Sequence, residues 1–309
     1  MRMSEIKSFL KKVVPLSLRK KRHECIYKQS MSRLKCRVIE YLESDPVNTR
    51  DNEKIQAIKF LKKNKQFSVF PYNFINKYHK KDIIVYTDDT CSLKYVLHEN
   101  NKRLYFKRSW DEEYIKYYYN GLLIEQDIDS PHRYLYEDFQ VYEDDDVVDI
   151  GVAEGNFALS IVEKCKKLYL FESDSEWIEA LNMTFYPWLN TGKVIIVNKK
   201  VSNNNDRDTI TLDNYFIENE EINFIKVDIE GYELKFLEGA KRLLTSQKKI
   251  RVAICTYHKQ NAGEEINKTM MDYGFRSEYS KGYMVYFTDE SAQPCWLVRG
   301  LLRCIKNDV

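Results

Sequence analysis

The seven cysteines (Cys25, Cys36, Cys91, Cys165, Cys255, Cys295 and Cys304) include no C-x-x-C pair, which argues against a zinc site. Their odd number, with no secretory leader, leads to the expectation of reduced thiols in a cytosol. No apolar run approaches the roughly 20 residues that a membrane-crossing helix needs. Neither charge dominates: 49 Lys and Arg against 47 Asp and Glu leave +2, so no global field points to nucleic acid. What the chain has in quantity is tyrosine, 23 of its 309 residues, which suits hydrogen-bonding clefts as well as cores. The length allows two domains or one decorated domain.

The most informative stretch runs from Val147 to Asp174. Val147-Val148-Asp149-Ile150 reads as a strand covered on both faces. Gly151-Val152-Ala153-Glu154-Gly155 reads as a turn, whose glycines let the backbone bend sharply and approach a ligand. A helix opening near Asn156-Phe157 aims its free N–H groups at that turn. Leu168-Tyr169-Leu170-Phe171-Glu172 is a second buried strand, and Glu172, with Ser173 beside it, is placed to accept from a ribose diol. Dinucleotide enzymes favour G-x-G-x-x-G, with bare backbone against a pyrophosphate. Here the pattern is D-x-G-x-x-x-G, with Glu154 inside the turn. A carboxylate there repels a pyrophosphate and suits the ammonium or sulfonium of S-adenosylmethionine (SAM). A nicotinamide cofactor is the alternative.

Around this unit, residues 3–14 form an amphipathic pattern (Ile6, Phe9, Leu10, Val13, Val14), followed by Pro15 and the basic run Arg19 to Arg22. Residues 1–22 therefore suit peripheral contact with an anionic membrane, or a solvated helix docked on its own protein. Helices are expected over 31–43 and 52–63, the second capped by Asp51. Strands are expected at 83–87, 93–97 and 103–107. Ser109 to Glu112 reads as a capping box opening a helix that runs to about Ile124. The division expected is an α+β region over 1–130, a cofactor-binding domain over 131–290 and a basic tail over 291–309. Within it, Trp177 could wall an adenine or fill the core. Val194 to Val197 is the next strand, and Tyr283 to Phe287 is expected to be the last.

A second stretch, Ile225-Lys226-Val227-Asp228-Ile229-Glu230-Gly231-Tyr232-Glu233, ends a buried strand on carboxylates. In an open α/β sheet such ends gather the chemistry at the topological switch point. His258, just beyond the strand 251–255, falls on the same rim. His132 and Arg133, just before the first of these strands, could meet an acidic group of a ligand or serve the loop.

Taken together, Val148-Asp149-Ile150-Gly151 with Gly155 and Phe157, Thr211-Leu212-Asp213, and Ile225 to Glu233 with Leu237, Gly239 and Ala240 resemble the FkbM-type SAM-dependent methyltransferases over roughly 130–290. Ser130 to Tyr134 is similar to a subgroup found beside bacterial surface-glycan genes. The resemblance implies a class I methyltransferase fold: a seven-stranded Rossmann-like sheet with helices on both faces and an antiparallel last hairpin. It also implies SAM in the cleft and O-methylation, with a sugar or glycan precursor in polysaccharide biosynthesis as the acceptor. On that basis Asp149 and Glu154 would hold the methionine ammonium, and Glu172 with Ser173 the ribose. Backbone from Gly151 through Ala153, Gly155 and Asn156 to Phe157 would take the methionine moiety, and Val201 and Ser202 would border the adenine. Lys199-Lys200 departs from the family's small residue before Val-Ser. Asp228, Glu230 or His258 would act as base or orient the acceptor, and an Asp228–Glu230 site could instead bind Mg2+. The competing readings are a nicotinamide-dependent sugar oxidoreductase and an inactive, membrane-docked SAM-binding scaffold. A cytoplasmic location, with or without contact with the inner membrane face, is expected.

Overall fold

The computed structural model describes residues 31–44, 50–64, 67–217, 220–259, 261–286 and 296–307. The amphipathic stretch 3–14 and the basic run after it lie outside the described residues. Among the described residues, no helix is long and apolar enough to cross a membrane. The chain divides into two units, residues 1–72 with 285–297, and residues 73–284 with 298–309.

In the first unit, helix 31–44 buries Val38 and Leu42. Helix Asn52–Lys63 buries Ala57, Ile58, Phe60 and Leu61, and the Asp51 carboxylate accepts from the N–H groups of Glu53 and Lys54 at its start. Both follow from apolar spacing, and the second also from its capping carboxylate, as expected. Trp296 meets the Tyr41 ring edge-on at 5.6 Å.

The second unit opens with an antiparallel meander, β1 (Tyr86–Thr87), β2 (Lys94–His98) and β3 (Lys102–Tyr105). Helix Glu112–Glu125 follows. Its cap is Asp111, whose carboxylate accepts from Tyr114 N–H at 2.7 Å; Ser109 is not the cap expected from the sequence. Ile115, Tyr119 and Leu122 line its buried face and share one core with Phe157, Trp177 and Phe224. The expected boundary at residue 130 is therefore corrected: this helix and the meander belong to the unit that holds the large sheet.

That sheet contains β4 (Asp146–Ile150), β5 (Lys167–Phe171), β6 (Val194–Val197), β9 (Phe224–Val227), β10 (Ile250–Cys255), β11 (Arg276–Tyr279) and β14 (Leu301–Lys306). The short strands β7 (Lys200–Val201) and β8 (Thr209–Ile210) pair with each other, as do β12 (Met284–Val285) and β13 (Leu297–Val298). The large sheet has the order β11-β14-β10-β9-β4-β5-β6. Its strands are parallel except β14, which runs antiparallel to both β10 and β11. This is the expected class I methyltransferase arrangement.

The end of the chain corrects two expectations. The last strand is Leu301–Lys306, inside the sheet, and the stretch read as a basic tail supplies it. Arg303 and Lys306 disguise it in the sequence. Both are satisfied by backbone carbonyls, Arg303 by those of Arg133 and Tyr134 and Lys306 by that of Leu244.

From β4 the chain builds outward through β5 to β6, then crosses back to place β9 on the other side of β4. The switch point lies between β4 and β9, where Ile150 pairs with Val227. Just beyond, Gly151 (φ +75°) packs so closely that a Cβ would stand 1.8 Å from the Asp228 carbonyl oxygen. Gly151→Ala should therefore destabilise the fold by well over the ~1–2 kcal/mol of a left-handed alanine. Gly192→Ala, also left-handed (φ +72°) but with nothing within 4 Å, should cost only that backbone increment. Denaturant titration of both variants checks the difference.

Candidate active site

Side chains alternate across a sheet, so the register fixes which residues share a face. Asp149, Lys226 and Ala253 sit side by side on β4, β9 and β10. Two residues further along each strand come Gly151, Asp228 and Cys255. The site is these two layers.

Lys226 is buried, and its Nζ donates to the Gly151 carbonyl at 2.6 Å and stands 3.0 Å from Asp149 Oδ1. Burial works against its charge, but Asp149 and Asp228 hold its pKa above the ordinary lysine value. Burial lifts Asp149 to about 6, against the pull of Lys226. The pair is therefore ionised at neutral pH, and Asp149 Oδ2 has no hydrogen-bond partner.

Asp228 is the hub of the second layer. Its Oδ2 accepts from Tyr134 Oη at 2.7 Å and lies 3.6 Å from His132 Nε2, while Oδ1 is 3.2 Å from His258 Nε2. Burial alone would raise its pKa, but His258 and Lys226 outweigh burial and hold the carboxyl well below the usual range. His258 is clamped on its other side, with Nδ1 2.7 Å from Glu233 Oε1. Burial disfavours its charge, yet the two carboxylates raise it to about 10. His132 is the opposite case: burial lowers it to about 4, so it is neutral, and its Nε2 meets the Tyr257 hydroxyl at 3.1 Å. Tyr134 is wedged between the rings of His132 and Phe157, each 5.2 Å away.

Three more carboxylates complete the site. Glu154 is buried in the turn and accepts from Tyr118 Oη at 2.8 Å. Burial raises it to about 7 despite that bond. Glu125, two helical turns beyond Tyr118, is raised to about 8 by burial and by the charges of Asp228 and Glu154. Glu172, at the end of β5, accepts from the N–H groups of Ala153 at 2.8 Å and Asp174 at 2.7 Å. Each oxygen keeps lone pairs for another donor.

Residues 113–277 match the family described as the methyltransferase FkbM domain. The chain belongs to the FkbM methyltransferase family. The matched region begins within helix Glu112–Glu125, earlier than the 130 expected. Among solved structures, an FkbM methyltransferase from Methylobacillus flagellatus is 19% identical, covers 64% of this chain and 56% of its own, and has a TM-score of 0.43. A SAM-dependent O-methyltransferase from Thermotoga maritima is 13% identical, with 55% and 62% covered and a TM-score of 0.36. A putative methyltransferase from Streptococcus mutans, in complex with SAH, is 14% identical, with 54% and 90% covered and a TM-score of 0.34. This chain thus spans little more than half the length of the Methylobacillus protein. No curated protein matches it.

SAM is the cofactor of this FkbM methyltransferase, which sets aside the nicotinamide alternative. The residues present fit it. Asp149 Oδ2 is a buried acceptor without a donor, Glu154 is a buried carboxylate in the turn that accepts from the Tyr118 phenol, and Glu172 keeps lone pairs at the end of β5.

Other expected residues fall elsewhere. Glu230 lies two residues beyond Asp228, but its side chain is 93% exposed, 3.9 Å from His258 Nε2. Ser173 is exposed beside Glu172, and Asn156 uses its side-chain oxygen on the Phe157 N–H. The glycines serve the protein's own packing: Gly155 (φ +86°) leaves room for Phe185 and Leu181, as Gly151 does for the Asp228 backbone. Ala153 and Glu230 take left-handed conformations in the two turns (φ 49° and 52°). Val201 and Ser202 are enclosed, Val201 packed with Leu212 and Phe236 and the Ser202 carbonyl lying where a Gly239 Cβ would go. Val201 lies in the short strand β7 that pairs with β8, and Ser202 follows it. Trp177 is a core ring, edge-on to Trp110 at 5.0 Å.

The donors around Asp228 do not fit Mg2+, which takes oxygen ligands. They are imidazoles and a phenol, and the Glu230 carboxylate is out in solvent. Among the described residues, His132, Asp228 and Cys255 bring one ligand atom each within 4.8 Å, a mixed N, O and S set foreign to Mg2+.

Tyr118, Glu125, Tyr134 and Lys226 are site residues to which sequence reasoning gave no role. Lys226 had a signal, since a lysine inside an apolar strand must find a buried partner.

The raised pKa of Glu125 makes a prediction. Between its unfolded value near 4.3 and about 8, the native state binds the extra proton, so stability falls as pH rises through that window. Glu125→Gln should therefore gain stability relative to the parent between pH 5 and 8.5, by urea titration. A difference that does not grow with pH contradicts the assignment.

Proposed function

We propose that this enzyme transfers the methyl group of SAM to a hydroxyl of a sugar or glycan precursor, in polysaccharide biosynthesis. The observation that carries the reading is the ionised Asp228 carboxylate, fixed between His258 and Tyr134 at the switch point. Bound SAM supplies an electrophilic methyl on a sulfonium. Glu172 would accept hydrogen bonds from its ribose, and Glu154 and the free oxygen of Asp149 would receive its ammonium end. Asp228 accepts the hydrogen bond of the acceptor hydroxyl and aims its lone pair along the transfer axis.

Asp228 is too weakly basic to keep the proton, and His258 already carries one. The proton of the acceptor hydroxyl therefore passes to solvent as the methyl–oxygen bond forms. Three hydroxyl-bearing rings, Tyr118, Tyr134 and Tyr257, surround these groups and suit a polyhydroxylated acceptor. Contact of residues 1–22 with an anionic membrane face remains part of the proposal, on the sequence pattern alone.

Mass spectrometry of glycan intermediates incubated with methyl-labelled SAM tests the reaction, the expected product being a stable methyl ether. Asp228→Asn should lower kcat by about 100-fold or more, the range of a lost transition-state contact, and leave SAM affinity within about threefold. Glu230→Gln should turn over nearly as the parent does. Transfer to nitrogen, or undiminished turnover by Asp228→Asn, contradicts the proposal.

A further inference from the structure

Three lysines from other segments gather around the turn that follows Asp228. Lys200 Nζ stands 3.1 Å from the centre of the Tyr232 ring and Lys235 Nζ stands 4.9 Å from it. Gly231, next in the chain, packs against Lys259: a Cβ there would lie 3.2 Å from Lys259 Cε and 3.9 Å from His258 Cβ. Strand β7, helix Glu233–Gly239 and the loop after β10 thus bring three ammonium groups to one phenol. The phenol registers them: the ammonium groups, Lys200 first, then Lys235 and Lys259, lower its pKa.

The neighbouring carboxylates are engaged elsewhere. Glu233 is on His258, Glu238 accepts from Asn203, and Glu230 points into solvent. Among the described residues, none of the three lysines has a carboxylate within ion-pair distance. Like charges gathered this way repel one another until an anion joins them.

The location says which anion. Lys259 follows His258 in the chain, and Tyr232 lies four residues beyond Asp228, the group that orients the acceptor. The pocket itself, with Asp149, Glu154, Glu125 and Asp228, repels negative charge. An acceptor that carries an anion must place it outside those carboxylates, where the lysines are. Lysine ammonium groups serve as point charges for phosphate oxygens. We infer that Lys200, Lys235 and Lys259, with Tyr232 as the floor, form a subsite for a phosphate or diphosphate group borne by the methyl acceptor. The inference rests on the methyltransferase reading and narrows its substrate to phosphate-linked sugars.

The test is calorimetric titration of pyrophosphate into the full-length enzyme at fixed ionic strength, with SAH titrated into the same samples. Saturable pyrophosphate binding is expected. It should weaken about tenfold in Lys235→Gln/Lys259→Gln, further when Lys200→Gln is added, and also as salt is raised. SAH affinity should stay within about threefold, which shows that the variants are folded. Displacement of pyrophosphate by UDP identifies a nucleotide-borne group, and displacement by vesicles bearing a polyprenyl diphosphate identifies a lipid-borne one; both support the subsite. No saturable binding, or equal binding by the triple variant, overturns it. Failure of the parent enzyme to bind SAH would instead count against the methyltransferase reading.

Discussion

A single buried ammonium group ties this active site together. Lys226 lies in the interior of the sheet, where an unpaired charge would be prohibitive. It is paired three ways: with the Asp149 carboxylate on the neighbouring strand, with the carbonyl of Gly151 in the first turn, and by charge with Asp228, two residues along its own strand. The first and fourth parallel strands in chain order are thus joined where the cofactor turn and the catalytic rim meet. Breaking the contact would leave Asp149 buried without a counter-ion and release the Gly151 turn from the Asp228 backbone.

The charge states of the rim follow from this arrangement. Lys226 and His258 keep Asp228 ionised, and Asp228 with Glu233 keeps His258 protonated. The histidine that reads in sequence as a base is therefore a fixed cation, and the aspartate beside it is a fixed carboxylate, suited in the proposed reaction to orienting a hydroxyl without holding its proton. Glu154, buried, and Glu125, half-buried, have no ion-pair partner among the described residues and take up the strain as raised pKa values. A positively charged donor bound there would relieve that strain. The acidic turn and the cationic cofactor suit each other in this sense.

Much of the fold was legible because parallel strands covered on both faces read as apolar runs. β4, β5, β6, β9 and β10 all fell where Val, Ile, Leu and Phe cluster. Asp51 was a readable cap because a carboxylate before an amphipathic run has little other use. β14 was hidden because its arginine and lysine are satisfied by carbonyls from other segments, which local sequence does not show. The site was legible as a set of strand ends, Asp149, Glu172 and Asp228, and less so as a network. Tyr118 and Glu125 sit on a helix whose other face is core, and Tyr134 reaches Asp228 across 94 positions of chain. Glu230 and Asp228 are indistinguishable in the sequence, and only the left-handed turn separates an exposed carboxylate from an anchored one. Val201 lies in, and Ser202 follows, a two-residue strand pairing too short to leave a pattern.

The most direct measurement of the role given to Lys226 is the stability of Lys226→Met beside that of the double variant Lys226→Met/Asp149→Leu. The single change strands a buried carboxylate and should cost about 3–5 kcal/mol. The double change replaces the pair with apolar side chains and should recover most of that stability without recovering SAM binding. A Lys226→Met protein as stable as the parent, or a double variant no more stable than the single one, would contradict the account.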